Sequence, residues 1–249
     1  MFRNIAVLAI ILLIVSCGRD DNSSTIPQMT DPIDNSNIVK ILFIGNSLTF
    51  FNDGIDSHVN GFYNNGDEVV PTVIDRAASP GFSLANHLNS AATQNAINSE
   101  DWDYVILQEN GVVATTDPDE MIASLTAFKD ILHTTRAEVF LFMTWAYEGE
   151  PQMTDQLYTI YSEASTITGY KIVPVGLGWR DFQQENNGIN LLGPDGVHPS
   201  LEGTFFASAM FFKAISNQDI NSNPYRTSLT PQKATYIKEF VTQSFLEYY

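Results

Sequence analysis

The stretch Val39-Lys40-Ile41-Leu42-Phe43-Ile44-Gly45-Asn46-Ser47-Leu48-Thr49 decides how this chain folds. Its first six residues are apolar apart from Lys40 and show no alternation, the pattern of a strand buried on both faces of a parallel sheet. The run stops at Gly45-Asn46-Ser47, where turn-forming residues set a hydroxyl at the strand's end. In an open parallel sheet, ligands bind beyond the carboxyl ends of the strands. A serine here stands where chemistry is expected.

Working outward, four more apolar runs follow at 69–74, 104–107, 139–143 and 172–175. Between and after them lie amphipathic stretches near 54–65, 83–97, 118–133, 153–168, 201–216 and 231–247. Asp117-Pro118 and Thr230-Pro231 each pair an N-cap residue with a first-turn proline. Five strands alternating with helices predict an α/β domain, a three-layer α/β/α sandwich around a five-stranded parallel sheet. No internal repeat and no second composition block is present, so 38–249 is read as one domain.

The first 37 residues have another character. MFRNIAVLAIILLIVSC carries Arg3 ahead of an apolar run at 5–15, the length of a signal peptide and short of the roughly 20 residues that span a bilayer. It ends at Cys17, the only cysteine of the 249 residues, in a setting that resembles the lipobox of bacterial lipoproteins. This predicts a signal peptide over 1–16, lipid on Cys17, and a polar tether through 37 too poor in apolar residues to fold. The expected location is the bacterial cell envelope, held to the membrane by that anchor alone. With its one cysteine lipidated, the mature chain has no internal disulfide and depends on a hydrophobic core. Its 44% hydrophobic content provides the material. The formal charge of −17 excludes nucleic acid as a partner, because phosphates require a basic face.

Chemistry is concentrated at strand ends. Beyond the last strand lies Gly193-Pro194-Asp195-Gly196-Val197-His198-Pro199-Ser200. An Asp three residues before a His, on a turn stiffened by Gly and Pro, can fix the imidazole tautomer and stabilise the imidazolium. Taken alone, Gly-Asn-Ser is equally a plain turn, and Asp195 equally a turn former beside a surface histidine. Their joint placement at strand ends points to a nucleophile, a base and an orienting acid.

That layout resembles the SGNH, or GDSL-like, hydrolases over nearly all of 39–216. Ile44-Gly45-Asn46-Ser47-Leu48-Thr49 is similar to that family's first block, and Asp195-Gly196-Val197-His198-Pro199 to its last. Ala78-Ser79-Pro80-Gly81-Phe82-Ser83 is similar to the second, whose glycine N–H points into the oxyanion hole. Leu107-Gln108-Glu109-Asn110 falls where the family has Gly-x-Asn, with Gln108 in place of the glycine and Asn110 in the asparagine register. The run from Trp102 to Asn110, with Thr144-Trp145-Ala146-Tyr147, resembles an uncharacterised bacterial lipoprotein subgroup of the superfamily.

The resemblance implies a flavodoxin-like sheet and a serine esterase in which Ser47 attacks, His198 is the base and Asp195 orients it. The implied oxyanion donors are the Ser47 and Gly81 N–H groups and the Asn110 amide, with Gln108 sharing or taking over that role. No cofactor is required. The expected substrates are acetyl or other short acyl esters, of small molecules or of carbohydrate. Lipid or thioester hydrolysis, or acyl transfer, would use the same triad. A non-catalytic glycan-binding lipoprotein is the reading from another class, and it has no need of all three residues.

Other candidates are weaker. His58, His87 and His133 have no Cys or acidic partner at metal-ligand spacing, so no metal site is expected. Glu148 and Glu150 follow the fourth strand, but a paired-carboxylate glycosidase needs a separation that spacing cannot show. Phe205, Phe206, Phe211 and Phe212 are expected against the sheet. Trp145, Tyr147 and Trp179 either stack on a sugar ring or fill the domain edge.

Overall fold

A computed structural model describes residues 38–66 and 68–249; the expected signal peptide, Cys17 and tether lie outside the described residues. Five strands, β1 (Val39–Gly45), β2 (Thr72–Ala78), β3 (Tyr104–Leu107), β4 (Glu138–Phe142) and β5 (Lys171–Val173), form one parallel sheet in the order β2-β1-β3-β4-β5. The chain leaves β1 toward one edge and returns past it to β3. This makes the crevice beyond the carboxyl ends of β1 and β3 the topological switch point.

Among the described residues, ten helices accompany the sheet: α1 (Ser47–Phe50), α2 (Ile55–Asn65), α3 (Leu84–Leu88), α4 (Ala91–Ile97), α5 (Gly111–Thr116), α6 (Pro118–Leu132), α7 (Met153–Thr168), α8 (Val175–Gln184), α9 (Leu201–Ser216) and α10 (Pro231–Tyr248). Strand parity explains the unbroken apolar runs. Ile41 and Phe43 of β1 enter one core with α2, α9 and α10, while Leu42 and Ile44 enter the other with α6 and α7. The result is the expected three-layer sandwich. The phenylalanines of α9 are fully buried, and Phe211 packs edge-on against Phe43 with centroids 5.4 Å apart. Asp117 and Thr230 cap α6 and α10 through the N–H groups of Glu120 and Lys233. Among the described residues, no helix is long and apolar enough to cross a membrane.

Two expected elements are placed differently, and α8 was not expected. The second strand lies at 72–78, not 69–74, and Val69 is 64% exposed. β2 is an edge strand whose Asp75 and Arg76 face solvent, and Leu42 pairs with Asp75 through the backbone whatever the side chain. The stretch at 83–97 is two helices. The ladder breaks at Asn89-Ser90, where Ser90 accepts from Thr93 N and starts α4. The short helices α1 and α5 carry too few residues to show a period.

Candidate active site

The site grows from the turn after β1. Asn46, in extended conformation, caps α1 by accepting from Leu48 N through Oδ1 (3.1 Å), which leaves Ser47 as the first helical residue. Among the described residues, the Ser47 N–H has no hydrogen-bond partner, as befits the first turn of a helix. The opposing loop carries Asp195 and His198. Asp195 Oδ1 accepts from the N–H groups of Val197 (3.0 Å) and His198 (2.9 Å), folding the loop so that its other oxygen meets the ring. His198 Nδ1 lies 2.6 Å from Asp195 Oδ2, and Nε2 lies 2.8 Å from Ser47 Oγ. A carboxylate only accepts, so the ring proton sits on Nδ1 and Nε2 accepts from the serine hydroxyl. The hydrogen bond from His198 and those from two backbone N–H groups hold Asp195 down at about 2, keeping it ionised.

Neighbouring loops lock this arrangement. The indole Nε1 of Trp145 donates to the Val197 carbonyl (3.0 Å), and Glu148 N donates to Gly196 O (2.8 Å), so the segment after β4 braces the histidine loop. Trp145 and Trp179 are 0% and 3% exposed and stack on each other at 4.1 Å. They fill the interior and offer no face to a sugar. Tyr147 is half-buried, its hydroxyl crowding Gly111. Glu148 and Glu150 are exposed, and Glu148 crowds Gly196 beside the histidine loop.

The loops after β2 and β3 close the third side. Asn46 Nδ2 donates to Phe82 O (3.0 Å), tying the Ser47 turn to the Gly81 loop. Gly81 is exposed with φ +70°, open space where a Cβ would stand, and no partner among the described residues for its N–H. Only a glycine holds that backbone without strain. Asn110 caps α5 through Val112 N (2.9 Å) and donates from Nδ2 to Gly81 O (3.1 Å). Ser47, Gly81 and Asn110 are thus linked through three strand-end loops.

Gln108 requires a correction. Sequence reasoning offered it as an oxyanion donor, but it is 0% exposed and its polar ends are engaged inside the protein. Oε1 accepts from Asn46 N (2.8 Å) and Thr49 Oγ1 (3.0 Å), and Nε2 donates to Glu109 O (2.6 Å). A side chain so placed supports the Ser47 turn from beneath and presents no donor to the outside.

Three residues were not anticipated. Phe51 stacks on the His198 ring, 4.5 Å between centroids and 18° from parallel. Asn52, in left-handed conformation, donates to Pro199 O (2.9 Å) and Thr204 Oγ1 (3.0 Å), clamping the segment after the serine to the segment after the histidine. Glu109 is a fully buried carboxylate directly before Asn110. The turn-forming run Asn52-Asp53-Gly54 is a visible sign of left-handed backbone, and Glu109 lies in the Leu107–Asn110 block already singled out; nothing in the sequence pointed to Phe51.

The histidines other than His198 have structural partners. His87 donates from Nε2 to Gly45 O (2.8 Å) and accepts at Nδ1 from Thr93 Oγ1 (2.7 Å), and burial pushes its pKa below the usual imidazole value. His58 bridges Tyr225 and the Asn52 carbonyl, and His133 meets the Asp130 carbonyl. Among the described residues, no group of His, Cys, Asp and Glu side chains is placed to hold a metal ion.

No protein-family model matches this chain, and no curated protein matches it in sequence. Solved structures do. A DUF4886 family protein from Bacteroides uniformis is 17% identical, with TM-score 0.70, covering 84% of this chain and 95% of that one. A putative SGNH hydrolase from Slackia heliotrinireducens is 24% identical, with TM-score 0.62, covering 71% of this chain and 98% of its own. A catalytic mutant of an acetylxylan esterase from Geobacillus stearothermophilus is 18% identical, with TM-score 0.58, covering 70% and 93%. The fold is that of these SGNH hydrolases and esterases.

Proposed function

We propose that this chain, built on the SGNH hydrolase fold, is a serine esterase removing acetyl or other short acyl groups, with acylated carbohydrate as its substrate class. The observation that carries this reading is the unbroken hydrogen-bonded line from Asp195 through His198 to Ser47. The likeness in fold to an acetylxylan esterase supports the choice of acyl group and alcohol.

In this reading, Ser47 Oγ attacks the ester carbonyl carbon while its proton passes to His198 Nε2. The tetrahedral oxygen is held by the N–H groups of Ser47 and Gly81 and by the Asn110 amide. Each such donor is worth about 2.7–4 kcal/mol of barrier. His198 then protonates the leaving alcohol as the carbon–oxygen bond breaks. Water, deprotonated by the same ring, attacks the acyl-enzyme and restores the serine.

The test compares the parent with Ser47→Ala on p-nitrophenyl acetate, longer p-nitrophenyl esters and acetylated sugars. Parent turnover fastest on acetyl, with Ser47→Ala slower by at least about a thousandfold, is the expected result. Equal turnover by the two proteins removes the esterase reading, and a preference for long chains moves it to lipid or thioester hydrolysis.

A further inference from the structure

Glu109 has no part in the chemistry above, yet it is an acid hidden from water at the edge of the site. Burying a carboxylate costs several kcal/mol unless the protein replaces its water hydrogen bonds. Here the replacements come from two loops. Leu84 N donates to Oε1 and Oε2 at 3.1 and 3.3 Å, and Asn110 N donates to Oε1 at 2.5 Å. Leu84 is the first residue of α3, three residues beyond Gly81. Asn110 is the residue whose amide reaches back to the Gly81 carbonyl. One side chain therefore holds both segments from which the Gly81 and Asn110 donors project.

We propose that Glu109 is a positioning residue for the oxyanion site: its carboxylate sets the spacing of the Gly81 and Asn110 donors, and full activity requires it ionised. The inference rests on the esterase reading. An ionised carboxylate has lone pairs on both oxygens for the two loops. A proton on Oε2 sets a hydrogen against the Leu84 N–H there and turns Oε1, which accepts from both loops, from a charged acceptor into a weaker neutral one, so the hold on both loops loosens. From the other elements packed on it, α7 presents the buried Tyr161 phenol and α6 the more distant Glu120 carboxylate. Burial is the main influence and pushes Glu109 up to about 7, against the opposing pull of the Asn110 and Leu84 N–H groups. The change of state thus falls near neutral pH.

The full chain and its variants are assayed with p-nitrophenyl acetate from alkaline pH to well below neutrality. In the parent, kcat should fall as pH drops through about 7, where Glu109 takes up its proton. On the alkaline side Glu109→Gln should have a kcat about tenfold below the parent's, with KM within about twofold, and the ratio of the two should shrink toward one on the acid side. Glu109→Asp, which keeps the carboxylate, should keep most of the parent's alkaline kcat. A parent kcat that stays level across neutrality overturns the proposal, and that reading needs no variant to fold. So does a Glu109→Gln protein with the parent's kcat, or one whose loss lies in KM. Ser47→Ala separates the two failures. An active Ser47→Ala sinks the esterase reading; an inactive Ser47→Ala beside a fully active Glu109→Gln sinks this inference alone.

Discussion

Phe51 stacks on the His198 ring, and Asn52 braces the segment that follows it. They work differently. Phe51 is 38% exposed, so removing its ring takes away less buried surface than removing a core phenylalanine. Asn52 makes two hydrogen bonds from a left-handed backbone that asparagine tolerates better than most residues. Asn52→Ala should lose about 1–3 kcal/mol of stability as well as kcat, whereas Phe51→Ala should lose kcat with Tm almost unchanged. Denaturant unfolding beside steady-state kinetics reads both, and equal destabilisation of the two variants would refute the distinction. At this scale, Ser47, Gly81 and Asn110 were legible as candidates because each follows a strand, and Asp195 and His198 because of their spacing on a Gly- and Pro-containing turn, which α8 separates from β5. Gln108 was misread because the direction of a strand-end side chain is set by what packs beneath it.

Among the elements, α8 illustrates a conflict between local preference and packing. Two glycines four residues or fewer from its start weaken it as a helix, and the sequence reading passed over it. The tertiary structure supplies their reason. A Cβ on Gly176 would stand 2.0 Å from the Thr144 carbonyl oxygen, which is backbone and cannot turn aside. On Gly178 it would meet Ser244 Oγ at 2.4 Å, and a hydroxyl can rotate. Alanine gains about 1 kcal/mol of helix propensity at either place. Overpacking should outweigh that gain at Gly176 by about 1–3 kcal/mol, lowering Tm, and Gly178→Ala should lose less. Thermal unfolding decides it; Gly176→Ala as stable as the parent would show that the helix can shift. The misplaced β2 has a related origin, since an edge strand is selected by backbone pairing and needs no apolar side chains.

For the whole molecule, the sheet is the common wall of two hydrophobic cores, with Phe212 in one and Phe128 in the other. Each truncation to alanine should cost about 3–5 kcal/mol, and the two should add, being on opposite faces with no shared partner. Unfolding should stay a single transition, with near- and far-ultraviolet dichroism coincident. Separate transitions would show that the layers melt independently. The parallel sheet, its flanking helices and the serine, aspartate and histidine as candidates for chemistry were legible in the chain's local patterns. Unbroken apolar runs, caps and turns are local patterns, and they are read one segment at a time. Only the tertiary structure decided which way Gln108 points, that Trp145 and Trp179 stack on each other, and that Phe51, Asn52 and Glu109 surround the Ser47 site. Those contacts join residues from 25 to 152 positions apart, and such meetings depend on how layers pack, which no local pattern encodes.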